Sequence, residues 1–180
     1  MLNLIAKGFD VQAALDEIEA RPVLWSLFTG RQKAEGSAHH DTECIILRGP
    51  AVPDAQSVFT DLVAHDYPVL YALPKTVELL RAVLGTHLAD HGIGRVMIVK
   101  LKAKGEIDSH IDEGPYAEWY DTRLHLVLSS TSLNTFQNGY DFAQCMPGEL
   151  WQFDHRDTHS YQNHSDTDRI HIIIDARSNA

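Results

Sequence analysis

Hydrophobic positions change their period about halfway along the chain, from a helical spacing to alternation. Near the N-terminus Val11, Ala14, Leu15 and Ile18 share one face of a helix predicted over 11–20, with Asp10 as N-cap and Pro22 closing the segment. The mixed stretch from Trp25 to Asp41, with Gly30, Gly36 and the pair His39-His40, reads as a loop. Glu43 to Arg48 follows as a strand ended by Gly49-Pro50. A short helix is expected over 54–65 and a longer one over 74–90, where Val77, Leu80, Leu84 and Leu88 form the buried stripe and Gly92-Ile93-Gly94 the stop. Beyond that point alternation predicts strands over 95–103, 122–129, 135–140, 149–154, 159–163 and 169–176. Lys104-Gly105, Asn138-Gly139 and Pro147-Gly148 supply tight reversals between them. Helices first and short strands afterwards predict a β-sandwich or barrel with helices packed on one side.

Length and composition narrow the class. A chain of 180 residues fits one domain, with 1–94 as helical and irregular support and 95–176 as the β core. An apolar fraction of 44% with 22% charged residues is that of an ordered globular protein, and no repeat or low-complexity segment interrupts it. The formal charge of −10 opposes a phosphate backbone, which excludes nucleic acid as the expected partner. Lys100, Lys102 and Lys104 are the one basic concentration, and their alternation beside Val99 and Leu101 reads as a solvated strand face. Cys44 and Cys145 have neither zinc-knuckle nor redox-pair spacing, so a reducing cytoplasm is expected. Met1 to Lys7 is too short for a signal peptide, and no run approaches the roughly 20 apolar residues of a membrane span. Oligomeric state has no signature in the sequence.

Eleven histidines are the one compositional oddity, and only spacing can select among them. In His110-Ile111-Asp112 the two ligating side chains are two apart, so an extended backbone sends both to one face roughly 6.5–7 Å apart. Alone, such a tripeptide usually marks a surface salt link. Here His159 follows 47 residues after Asp112, and Arg169 stands 10 residues after His159. Two imidazoles and a carboxylate occupy one face of an octahedral metal and leave the other open, the facial triad of non-haem Fe(II) oxygenases. In Arg169-Ile170-His171-Ile172-Ile173-Ile174 the alternation puts Arg169, His171 and Ile173 on the face opposite three greasy positions. Arg123-Leu124-His125-Leu126-Val127-Leu128 repeats the design. A guanidinium pointing into a barrel requires a carboxylate, either a structural Asp or Glu or a dicarboxylate cosubstrate held bidentately. Trp151 and Phe153 read as core filling, and His39-His40 with Asp41 as loop residues near the mouth.

Together, His110-X-Asp112, Arg123-Leu124-His125-Leu126, Pro147 to Asp154, His159, Asn163 and Arg169 to Asp175 resemble the aspartyl/asparaginyl β-hydroxylase family of Fe(II)- and 2-oxoglutarate-dependent oxygenases. The resemblance covers about 95–176, with weaker echoes in Trp25, Arg31 and the strand from Cys44 to Arg48. It implies a double-stranded β-helix (jelly-roll, cupin-like), with His110, Asp112 and His159 as iron ligands and catalytic centre, and O2 as oxidant. It further implies Arg169 on the distal carboxylate of the cosubstrate 2-oxoglutarate, His125 near its other end, and Arg123 on a cosubstrate or substrate carboxylate. Asp154 and Asn163 would orient the distal imidazole. Animal peptidyl hydroxylases of the family lack the ligating carboxylate, so Asp112 sets this chain beside small bacterial members that hydroxylate free amino acids such as proline. Neither the membrane anchor nor the helical repeats of the animal enzymes is expected here. The implied substrate is an amino acid or an Asp/Asn-type peptide side chain, contacted from loops 30–42 and 113–121, the latter with Glu113, Tyr116, Glu118, Trp119 and Tyr120. The competing reading is a cupin-like metal-dependent isomerase or lyase, or a metal sensor, for which Arg169 has no use. Nucleic-acid demethylases of the superfamily carry a second arginine where this chain has Asp175.

Overall fold

The computed structural model describes residues 1–51 and 57–178. The chain opens with β1 (Asn3–Lys7) and α1 (Gln12–Glu19), then a 3-10 turn at Pro22–Ser26, the short α2 (Gly30–Lys33) and β2 (Thr42–Gly49). Next come α3 (Ser57–Thr60), β3 (His65–Asp66), a second 3-10 turn at Pro68–Ala72 and α4 (Pro74–His87). The remainder is β4 (His91–Leu101), β5 (Glu106–His110), α5 (Pro115–Trp119), β6 (Thr122–Ser129), β7 (Asn134–Asn138), β8 (Asp141–Ala143), β9 (Glu149–Phe153), β10 (His159–Asn163) and β11 (Arg169–Ser178).

The strands form a seven-stranded sheet in the order β1-β9-β6-β11-β4-β2-β3 and a four-stranded sheet in the order β5-β10-β7-β8. Every pairing is antiparallel. This is a double-stranded β-helix, the fold that the family resemblance implied and a closer definition of the sandwich or barrel that the alternation predicted. The leucines of β6 and Ile170, Ile172 and Ile174 of β11 meet Ile45, Leu47, Val96 and Ile98 on the outer face of the large sheet. Ala14 and Ile18 of α1 and Leu79, Leu80 and Val83 of α4 close over them. Each such side chain, taken fully out of water, contributes about 1.5–3 kcal/mol, so the helices are anchored by the sheet's apolar face. Between the sheets lies a smaller cluster of Leu101, Ile107, Val127, Phe136, Phe153 and Tyr161. The polar face of β6 and β11 therefore looks into the space between the sheets.

Several local expectations shift. The buried stripe of α4 is Thr76, Leu79, Leu80 and Val83, while Val77 and Leu84 are only half-buried, a rotation set by the sheet beneath. The buried Glu17 reaches across from α1 to cap α4, accepting from the backbone N–H groups of Lys75 (3.0 Å) and Thr76 (2.9 Å). Gly92-Ile93-Gly94 does not merely stop a helix but lies inside β4. A Cβ on Gly94 would meet Tyr116 Oη and Tyr120 Cε1, each at 2.7 Å, so glycine here admits two tyrosines from α5 against the strand. The loop over 25–41 contains the first 3-10 turn and α2, and the loop 113–121 contains α5. Of the helix expected over 54–65, residues 54–56 lie outside the described residues, Ser57–Thr60 form α3, and His65 opens β3. The edge strands β1 and β8 were not expected, because most of their residues are exposed and carry no alternation.

Candidate active site

His110 ends β5 and His159 begins β10, and the two are direct cross-strand partners. Their ring centroids lie 4.3 Å apart. His110 Nδ1 is 2.7 Å from the carbonyl oxygen of Asp108, and His159 Nδ1 is 3.0 Å from that of Asp157. A carbonyl only accepts, so in each ring Nδ1 carries the proton and Nε2 is left with a free lone pair. Asp112 lies just past the strand, where its backbone N–H donates to the His155 carbonyl at 3.0 Å. The ligand atoms of His110, Asp112 and His159 all fall within 4.8 Å of one another. Two neutral imidazole nitrogens and one carboxylate oxygen suit a divalent iron with open positions, so the donor set fits the metal that the resemblance implies. Burial lowers the His159 pKa to about 4, which keeps the ring neutral at physiological pH.

A line of alternating charges runs back from Asp112. Arg123 Nη1 donates to Asp112 Oδ2 in a very short contact, and its Nε donates to Asp175 Oδ1 at 2.6 Å. Asp175, fully buried, also accepts from Arg95 Nε (3.3 Å) and the Tyr116 hydroxyl (3.2 Å). Burial pushes the Asp112 carboxyl up, but Arg123 with His159 and His110 more than offsets this and holds it well below the usual carboxylate range. The same balance, with Arg123 and Arg95 opposing burial, lowers Asp175. The sequence suggested a ligand carboxylate for Arg123; the carboxylates it meets belong to the chain itself. Asp175 shares the inward phase of Arg169 and His171 and pairs in register with Arg123, which is the signal that could have identified it.

Arg169 is 4% exposed and forms no ion pair with a carboxylate among the described residues. Its Nη2 contacts His171 Nδ1 at 2.7 Å, and its guanidinium carbon lies 4.3 Å from the centre of the Tyr161 ring. Tyr161 in turn contacts His125 Nδ1 at 3.1 Å. The Nε2 atoms of His125 and His171 are buried without a hydrogen-bonding partner. Burial first, and Arg169 second, press both imidazoles well below their ordinary pKa, so both are neutral. These groups line one cavity with His110, His159, Arg123, Arg31 and His39. His39 lies edge-on to His110, with centroids 4.8 Å apart, so one residue of the pair expected near the mouth reaches the site.

Other expected residues stand elsewhere. Asn163 Nδ2 donates to the carbonyls of Leu101, Lys102 and Thr167, and Asp154 pairs with Arg156 at 2.8 Å. Neither orients His159, whose Nδ1 partner is a backbone carbonyl, so no side chain is needed there. Tyr116 and Tyr120 are buried against β4, while Trp119 stacks on Arg177 at 3.7 Å and Glu113 and Glu118 face solvent. Trp151 is half-buried and donates to Glu149 at 2.9 Å, and Phe153 joins the core.

Comparison with known proteins agrees with this geometry. The chain is 31% identical over 122 residues to an L-proline cis-4-hydroxylase of Rhizobium meliloti (strain 1021), covering 66% of this chain and 42% of that protein. It thus spans less than half the length of that curated relative. A prolyl hydroxylase from Trichoplax adhaerens, solved with a peptide of hypoxia inducible factor, shares the fold with a TM-score of 0.57 and 13% identity, over 98% of this chain and 83% of that one. An oxidoreductase of the 2OG-Fe(II) oxygenase family from Burkholderia pseudomallei does so at 0.55 and 11%, over 90% and 79%. The model of the Aspartyl/Asparaginyl beta-hydroxylase family matches residues 65–179, a span that includes all three clustered ligands and both inward arginine strands. With that span matched, the chain belongs to the aspartyl/asparaginyl β-hydroxylase family.

Proposed function

We propose that this protein is an Fe(II)- and 2-oxoglutarate-dependent dioxygenase that hydroxylates a C–H bond of an amino acid or of an Asp/Asn-type peptide side chain. The observation that carries the reading is the pairing of a clustered His-Asp-His donor set with a buried guanidinium, Arg169, that no carboxylate of the described residues neutralises. In this reading His110, Asp112 and His159 hold the iron. Arg169 takes the distal carboxylate of 2-oxoglutarate, and His125, with its buried unpartnered Nε2, faces the cosubstrate beside it. Arg123 keeps Asp112 ionised and fixes its orientation. When bound, iron and 2-oxoglutarate together reduce O2 to supply an oxidant for an unactivated C–H bond. The chain's residues hold the substrate against that centre, and Phe136, Phe153 and Tyr161 below it exclude water.

The L-proline cis-4-hydroxylase among its relatives supports a free amino acid as substrate. Cys44 and Cys145 are free thiols, and a reducing cytoplasm is the compartment we infer. Among the described residues no helix is long and apolar enough to cross a membrane. A screen of amino acids and short peptides with Fe(II), 2-oxoglutarate and O2, read by mass spectrometry, tests the proposal. It expects a product heavier by one oxygen atom and a matching yield of succinate. Tight metal binding that ignores 2-oxoglutarate would instead favour a cupin-like isomerase, lyase or sensor.

A further inference from the structure

A second cation in the cavity lacks a counterion among the described residues. Arg31, on α2, directs Nη2 at the edge of the His39 ring, 2.9 Å from Nε2 and 3.3 Å from Nδ1. Its Nη1 is shut away from solvent with no hydrogen-bonding partner. No carboxylate of the described residues forms an ion pair with it, although Asp112 is near enough to act on it through space. Burying a guanidinium in this state is costly unless an anion joins it.

The cavity's other cations are accounted for differently. Arg123 is engaged by Asp112 and Asp175, both from the chain. Arg169 meets Tyr161 and His171 in the same cavity. One dicarboxylate, with one end on Arg169 and the other at the metal, leaves Arg31 still unmatched. Arg31 is separated from the ligand His110 by a single imidazole, that of His39.

Resting on the oxygenase reading above, we propose that Arg31 anchors the α-carboxylate of a substrate that is a free amino acid. A residue inside a peptide chain has no α-carboxylate to offer. His39 then acts as a positioning residue, bracing the guanidinium from one side so that its remaining N–H donors face the cavity.

Calorimetric titration of the anaerobic protein loaded with Fe(II) and 2-oxoglutarate tests this, using the standard free L-amino acids, L-proline first, and the carboxamide of the tightest binder. The amide is expected to bind about 100-fold more weakly than the acid. Arg31→Gln should lose about 100-fold in affinity for the acid, bind the amide as the wild type does, and keep its affinity for metal and 2-oxoglutarate. Arg31→Lys, which retains the charge but not the fork, should fall between them. The acid and amide comparison on the wild type needs no variant, so a folding defect cannot obscure it. Equal binding of acid and amide, wild-type affinity in Arg31→Gln, or no amino acid bound at all would overturn the assignment. So would loss of 2-oxoglutarate affinity in Arg31→Gln, which would make Arg31 a cosubstrate group. Failure of the wild type to bind 2-oxoglutarate would defeat the oxygenase reading instead.

Discussion

Removing one hydroxyl from α5 should loosen the charge line that ends at Asp112. Tyr116 is 5% exposed, and its Oη both donates to Asp175 (3.2 Å) and accepts the backbone N–H of Arg95 (2.7 Å). Tyr116→Phe keeps the ring, its packing beside Gly94 and the Arg95 guanidinium above it, so the loss is confined to those two bonds. A hydrogen bond to a charged acceptor contributes about 1.5–3 kcal/mol, and a stranded, partly buried N–H adds about 1 kcal/mol. The expected destabilisation is therefore about 2.5–4 kcal/mol, a fall in Tm of about 5–16 °C for a chain of this size. Urea unfolding followed by circular dichroism should show the midpoint falling with an unchanged m-value. Tyr120→Phe is the matched control: its hydroxyl donates to the Leu62 carbonyl at 2.6 Å and does not touch Asp175, so about 1 kcal/mol is expected. A Tyr116→Phe effect below about 0.5 kcal/mol, or no larger than that of Tyr120→Phe, would show that the network is not held together from α5.

Asp175→Asn leaves the buried Arg123 with Asp112 as its one carboxylate among the described residues and should cost about 3 kcal/mol at neutral pH. Because the folded-state pKa of Asp175 is lowered, this difference from the wild type should be full above the unfolded value of about 3.9 and shrink as pH falls through the folded one, as unfolding curves at several pH values would show. His159→Ala should weaken Fe(II) or Mn(II) binding by about 100-fold or more in calorimetry while leaving the far-UV spectrum unchanged. Arg169→Leu should leave metal affinity intact but reduce 2-oxoglutarate affinity by about 100-fold, measured on the metal-loaded protein.

Legibility in the sequence followed the range over which each constraint acts. Alternation along one strand disclosed that Arg123, His125, Arg169 and His171 turn away from the apolar face, because the period of a strand is local and β6 and β11 are buried along most of their length. His110, Asp112 and His159 were legible as a set, though not the reason Asp112 reaches the others: β5 has ended, and a backbone bond to His155 places the carboxylate. Partners across the fold stayed hidden. The cap that Glu17 gives α4 spans 58 residues of sequence, and the bond from Arg123 to Asp175 spans 52. A helix N-cap search looks only a few residues away and finds neither. Arg31 was legible only as a weak echo of the family within the loop 30–42, since it lies in a stretch without periodicity, and only the fold brings α2 to the cavity.

The sign of the whole protein and the sign of its cavity are opposed, and the two act over different ranges. A net charge of −10 repels anions at a distance, but at physiological ionic strength that repulsion decays over about 8 Å. Within the cavity, Arg31 Nη1 and the whole of Arg169 are out of water, where screening is weak and contact with a carboxylate is strong. A phosphate polymer, which must lie along the surface, meets the repulsion over its full length, whereas a small acid crosses it once and reaches the guanidiniums. Asp175 is what keeps this arrangement selective. Without it, Arg123 would have only Asp112 to balance its charge. A buried aspartate outside the His-Asp-His cluster thus neutralises Arg123, while Arg31 and Arg169 form no ion pair with a carboxylate among the described residues.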